Sequence, residues 1–103
     1  MPGAPATTAL DVARDHPAYE GHFPGQPILP GVVILAEVLA AIAHATSIPV
    51  EQWQVSNAKF LDPVVPGTAL TLHHERLESG GVRFEVRSPA GIVASGALTP
   101  RHG

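Results

Sequence analysis

Cysteine is absent from the 103 residues of this chain, which excludes disulfide bonds, thiolate catalysis and cysteine-bound metal ions. The absence is compatible with a reducing compartment. Charge is also sparse, because 6 lysines and arginines stand against 9 aspartates and glutamates, for a formal net charge of −3. Nucleic-acid-binding domains are usually basic. The charge balance therefore argues against a nucleic-acid partner.

The sequence also lacks a hydrophobic run long enough to cross a membrane. Its longest apolar stretch, 32–43, is interrupted by Glu37 and is shorter than the roughly 20 residues that a spanning helix needs. The N-terminal residues show no basic region followed by an apolar one, so no signal peptide is evident. We therefore expect a single domain over 1–103. We also expect no membrane insertion and a cytoplasmic location.

Proline and glycine are plentiful, with 11 and 10 copies, and they mark where regular structure breaks. Prolines recur within 16–30 and exclude a helix there, because proline lacks the amide donor and fixes its own φ. This stretch predicts an ordered loop. Residues 31–46 are apolar nearly all round, which predicts a buried helix. Pro30 and Gly31 suit its first turn, and Pro49 ends it.

Strands are predicted on both sides of that helix. Val82, Phe84 and Val86 alternate with charged residues, the pattern of a strand with one face in water. Trp53 and Phe60, at the two ends of another strand, are expected in the core or in a dimer interface. The predicted strands are 7–14, 53–60, 69–77, 82–87 and 92–99. Their order predicts an α+β domain whose antiparallel sheet wraps a central helix.

Two stretches carry a specific pattern of histidine, prolines and glycines. They are HFPGQPILPGV at 22–32 and KFLDPVVPG at 59–67. Together they resemble the 3-hydroxyacyl-[acyl-carrier-protein] dehydratase family. The resemblance implies a hot-dog fold and a homodimer, or a trimer of dimers. It also implies a substrate carried on the phosphopantetheine arm of an acyl carrier protein, in fatty-acid biosynthesis or a related polyene, polyketide or lipid pathway.

The chemistry of this family explains the residue types. Dehydrating a 3-hydroxyacyl thioester to the trans-2-enoyl thioester needs a base for the C2 proton, an acid for the hydroxyl and donors for the thioester oxygen. The resemblance assigns the base to His22, whose imidazole titrates near neutral pH. Unpaired amides at the helix start would bind the thioester oxygen. The residues expected to bind substrate are Phe23, Gly25, Pro30, Gly31 and Val32.

The chain departs from the family pattern at the acid. The family carries a carboxylate fourteen residues after the histidine, and here that position is Ala36, followed by Glu37. One residue is a rotation of about 100° on a regular helix, so Glu37 should not point where the family carboxylate points. A local bulge or a shifted helix start would bring Glu37 round. Otherwise the acid is lost. Glu37 is the candidate catalytic acid under the first alternative.

Two other functions stay open from the sequence. In a hot-dog acyl thioesterase, an acidic residue of the same helix activates water, and Glu37 would serve there. In a catalytically weak partner subunit that binds the acyl chain, Ala36 and Ala40 are explained by lost chemistry. No cofactor or metal is expected, since His73 and His74 are strand neighbours that point to opposite faces.

Overall fold

The computed structural model describes residues 5–10, 30–65 and 67–101, which form a five-stranded antiparallel sheet and one long helix. The sheet order is β1-β3-β4-β5-β2, so β1 and β2 form its two edges. The α+β prediction is confirmed. The elements are β1 (Ala6–Leu10), α1 (Gly31–Thr46), a short 3₁₀ helix (Val50–Gln52), β2 (Trp53–Phe60), β3 (Leu70–Arg76), β4 (Val82–Ser88) and β5 (Gly91–Pro100).

The limits of α1 match the prediction. The helix begins after Pro30, which is extended (φ −61°, ψ 142°) and offers no side-chain cap. It ends at Ser47 in the left-handed region, with φ 60°. Thr46 Oγ1 donates to the Ile42 carbonyl at 2.7 Å and accepts from the Ile48 amide at 3.3 Å. The first bond is a side-chain bond within the last helical turn, and the second gives the Ile48 amide a partner just beyond the helix.

Only one stripe of α1 is buried. Ile34, Val38 and Ile42 recur every four residues and are at most 3% exposed, packed against the inner face of the sheet. On the opposite side Val32 is 72% exposed, and Ala36 is exposed too. The prediction of a helix buried all round is therefore wrong within a single chain, since its apolar outer side faces no part of the described structure.

The sheet has one apolar and one polar face, as the alternation predicts. Val82, Phe84 and Val86 are at most 1% exposed, while charges from the intervening positions pair on the outer face. Arg83 contacts Glu75 across the strands at 2.6 Å. Exposed pairs of this kind contribute little to stability. The sheet is thus held mainly by its inner side chains and its backbone hydrogen bonds.

A β-bulge in β2 decides which side chains of that strand face the helix. Val55 pairs with Leu98 and Asn57 with Ala97, so Ser56 is an extra residue in the ladder. Beyond the bulge, Phe60 pairs with the buried Ala94. If Ser56 were paired in a regular ladder instead of bulged, simple alternation from Trp53 would put Phe60 on the outer face. The bulge therefore turns Phe60 toward the helix.

Candidate functional site

The first turn of α1 and the segment that follows β2 enclose an open groove of about 480 Å³. This volume lies within the usual range of ligand pockets, about 300–1,000 Å³. The described part of its lining includes Pro30, Gly31 and Val32 on one side and residues 60–64 on the other. These are the C-terminal end of the first sequence pattern and the middle of the second. Two stretches distant in sequence thus meet at one place.

The helix start gives the groove its polar end. The amides of Val33 and Ile34 donate to the Pro30 carbonyl at 3.0 and 3.4 Å. The amides of Gly31 and Val32 come before them and have no acceptor within the helix. Among the described residues no side chain caps the start of α1, and its first turn holds no acidic residue. This end therefore combines two N–H donors that have no acceptor within the helix with the positive end of the helix dipole.

The walls of the groove are apolar and partly open. Val32 is 72% exposed, Leu61 54% and Phe60 49%, although all three are large hydrophobic residues. Ile34 and Val64, each 3% exposed, lie deeper. A contiguous exposed apolar surface of this kind usually marks a ligand or protein contact. An apolar chain fits these walls.

Gly31 allows the two sides of the groove to meet closely. A Cβ at Gly31 would lie 2.8 Å from two ring carbons of Phe60, closer than real Cβ contacts. The aromatic ring consequently rests against the backbone of the first helical residue. A larger residue than glycine would displace the ring, which is free to move because half of it is exposed.

The acidic candidates are separate from the groove. Residues Gly31–Thr46 form one uninterrupted α-helix without a bulge, and it starts where the sequence predicted. Ala36 therefore points away from the buried stripe, about 160° from Val38, and Glu37 lies half-buried on the flank. Neither is among the described residues that line the groove. Neither a bulge nor a shifted start reorients Glu37.

The structure brings together part of the predicted site. Pro30, Gly31 and Val32, which were predicted to bind substrate, line the groove. His22, Phe23 and Gly25 lie outside the described residues. Trp53 is in the core at 2% exposure, as predicted, whereas Phe60 lines the groove and was missed. Its membership of the 59–67 pattern was the signal that would have identified it.

A second hollow lies on the outer side of the sheet, near Glu75, Arg83 and Glu85. Its charges are engaged with one another or with neighbours, since Arg83 pairs with Glu75 and Glu85 with Arg87, each at 2.6 Å. Among the residues that the structure describes, no group of three or more His, Asp or Glu could hold a metal ion. We read this hollow as a solvated sheet face.

The environment of His74 shifts its pKa. It lies on the inner face of β3 opposite Phe84, and its Nε2 is buried without a partner in the described structure. Burial removes water from the ring and lowers the pKa of His74 below its ordinary value of 6.5. Protonation of this ring therefore opposes folding.

Within the described ranges, α1 is too short to cross a bilayer, and the structure offers no other helix that could.

Comparisons with known proteins agree with this geometry. The family model described as ApeI dehydratase matches residues 3–97. The 3-hydroxyacyl-[acyl-carrier-protein] dehydratase FabZ of Geotalea uraniireducens is 36% identical over 108 residues, covering 93% of this chain and 74% of the relative. FabZ of Lactobacillus helveticus is 32% identical over 110 residues, covering 95% of this chain and 74% of the relative. FabZ of Anaeromyxobacter sp. is 34% identical over 100 residues, covering 86% of this chain but only 63% of the relative, less than two thirds of its length.

Two solved structures share the architecture. The dehydratase heterocomplex ApeI:P from Xenorhabdus doucetiae superposes with a TM-score of 0.74 at 24% identity, covering 95% of this chain and 88% of that one. An uncharacterized protein from Erwinia carotovora subsp. atroseptica superposes with a TM-score of 0.66 at 29% identity, covering 93% and 82%. The predicted hot-dog fold is confirmed.

Proposed function

Because the chain belongs to the ApeI-like dehydratase family, we propose that it removes water from a 3-hydroxyacyl thioester on an acyl carrier protein and forms the trans-2-enoyl thioester. Fatty-acid synthesis or a related polyene, polyketide or lipid pathway would use this product. The observation that carries the proposal is the apolar groove that ends at two amides at the positive end of α1. An acyl chain needs such walls, and a thioester oxygen needs such donors.

The proposed dehydration assigns a role to a residue or backbone group for each bond that forms or breaks, except for the acid. His22 takes the proton from C2, and the electron pair of that C–H bond forms the C2–C3 double bond. The C3–oxygen bond breaks, and the hydroxyl leaves as water with a proton from an acid. Negative charge develops on the thioester oxygen, where the amides of Gly31 and Val32 stabilise it. The role of His22 rests on the family pattern at 22–32.

Two groups are candidates for the acid that protonates the leaving hydroxyl. Glu37 is the nearest carboxylate in sequence to the family position, which Ala36 occupies here. The regular helix keeps Glu37 on the flank, turned about 100° from Ala36. For Glu37 to serve, the substrate must approach that flank. Alternatively, a second subunit supplies the acid.

The proposal includes a homodimer. β2 is an edge strand whose outward backbone groups are unpaired in the described structure, and such an edge readily pairs with another strand. The apolar outer side of α1, with Val32 and Ala36, also needs cover. Light scattering after size exclusion would give twice 10.7 kDa for the dimer, and six times that mass for a trimer of dimers.

The test is turnover of a 3-hydroxyacyl carrier-protein substrate, followed by mass spectrometry for loss of one water. We expect His22→Ala to lower kcat/KM by about 10²- to 10⁴-fold, the usual contribution of a general base. His73→Ala is the matched control, because this ring lies on the outer side of the sheet and bonds to Thr7 there. Equal activity of His22→Ala and the wild-type protein would refute the proposed mechanism.

One structural observation favours a second candidate, a weak subunit that binds the acyl chain and works beside an active homologue. Ala36 is exposed on the outer side of α1, where no carboxylate replaces it. A neighbouring structure, that from Xenorhabdus doucetiae, is described as a heterocomplex. Under this candidate Ala36→Glu should raise dehydration at least tenfold, while Glu37→Gln should change it less than tenfold. The opposite pair of results favours Glu37 as the acid, and release of free fatty acid would indicate a thioesterase.

A further inference from the structure

The ring of Phe60 lies beside the polar end of the groove rather than along its apolar length. The Cβ direction of a helical residue tilts toward the helix N-terminus. At Gly31 that direction leads straight to the Phe60 ring, because a Cβ there would lie 2.8 Å from two of its carbons. The ring therefore flanks the space in front of the amides of Gly31 and Val32.

We infer that Phe60 selects the substitution at C2 of the acyl group and excludes 2-methyl-branched thioesters, an inference that rests on the proposed function. An oxygen held by these amides lies about 2.7–3.2 Å from their nitrogens. C2 is then only two bonds from that oxygen. The ring is consequently near C2, whereas the far end of an acyl chain extends past Val32 and Leu61. Phe60 thus governs branching and has little influence on chain length.

Because Phe60 contacts Gly31, substitutions at these two positions can widen or narrow the space beside the amides of the helix start. Shortening Phe60 to leucine withdraws the ring and opens the space beside the amides. Adding a methyl group at Gly31 fills part of the space between the helix start and the ring, beside the amides, and the half-exposed ring can yield to make room. The two substitutions should therefore change substrate preference in opposite directions. A residue needed only for folding would not behave in this way.

The experiment compares kcat/KM for 3-hydroxybutyryl and 2-methyl-3-hydroxybutyryl groups on the same carrier protein. One methyl group in a fitted pocket is worth roughly 10- to 200-fold, so we expect the wild-type protein to prefer the unbranched substrate by at least tenfold. Phe60→Leu should lower this preference about tenfold or more, and Gly31→Ala should raise it. Val50→Ala, an exposed apolar residue outside the groove, should leave it unchanged.

Binding separates this inference from the proposed reaction. The same two acyl groups, joined to pantetheine through a non-reactive amide, are titrated by calorimetry against each variant. If the wild-type protein has no dehydratase activity, the proposed function fails, and the ratio of the two dissociation constants still decides the role of Phe60. A ratio that changes less than twofold in both Phe60→Leu and Gly31→Ala overturns the inference. Unchanged circular dichroism of both variants confirms that they are folded.

Discussion

Gly96 is where the spacing between β2 and β5 can be tested directly. A Cβ at this position would clash with the carbonyl oxygen of Asn57 and lie 2.9 Å from the Phe84 ring and 3.0 Å from the Cα of Ala58. Two of these neighbours are backbone atoms of β2, and the third is a fully buried ring. None can yield without moving a strand. Gly96→Ala should therefore force β2 away from β5.

The magnitude follows from two opposing contributions. Overpacking a well-filled site costs about 1–3 kcal/mol. Replacing glycine by alanine in a strand returns roughly 0.5–1 kcal/mol, because alanine loses less backbone freedom on folding. The clash involves backbone, so the upper part of the overpacking range applies. We expect a net loss of about 1–2 kcal/mol, or a fall in Tm of about 4–16 °C for a domain of this size.

Urea unfolding of wild-type and variant at one protein concentration measures this loss, and Gly31→Ala is the matched control. The control adds the same methyl group beside a half-exposed ring and should cost less than 1 kcal/mol. Because β2 also carries Phe60, Gly96→Ala should weaken substrate binding as well. A midpoint for Gly96→Ala equal to that of the wild-type protein, at the same slope, would show that the reasoning on strand spacing is wrong.

Two further substitutions probe the buried stripe of α1 and the partly buried ring of His74. Ile42→Ala removes a fully buried side chain of the α1 stripe and should lower the free energy of unfolding by about 2–5 kcal/mol, measured by urea unfolding. The control is Ala40→Gly at an exposed position, which should cost about 1 kcal/mol through lower helix propensity alone. His74 binds its proton less readily when folded, so stability should be full above pH 6.5 and should decrease as the pH falls toward the lowered native pKa. His74→Gln should flatten that part of the pH–stability curve, and a curve unchanged by the substitution would contradict this assignment.

The helix and most strand limits follow from the sequence because their signals are local. Proline and glycine frame α1, and its apolar residues recur with helical spacing, so 31–46 was predicted to the residue. The prediction for β2 was equally close. The 3₁₀ helix at Val50–Gln52 was missed, since three residues carry no period. The burial of α1 was overestimated because an all-apolar helix looks the same whether its own sheet or another subunit covers it.

The site was harder to predict than the fold. Gly31 and Val32 were predicted to bind the thioester oxygen because the family pattern marks them and a helix start supplies amides without helical partners. Phe60 was missed because its facing depends on the bulge at Ser56, and a bulge is set by the pairing of β2 with β5. A single strand read alone shows neither its partner nor its register. The part of the site near His22 stays a prediction.

The bulge at Ser56 determines which face of the sheet each later side chain of β2 occupies. If Ser56 instead took a regular place in the ladder, strict alternation would continue from Trp53, and the side chains of Lys59 and Phe60 would exchange faces. The groove would then receive an ammonium group, and the aromatic ring would move to the solvent side. The bulge thus decides whether this end of β2 offers the groove an apolar or a cationic side chain, whereas deletion of Ser56 itself would keep Asn57 opposite Ala97 and Phe60 opposite Ala94.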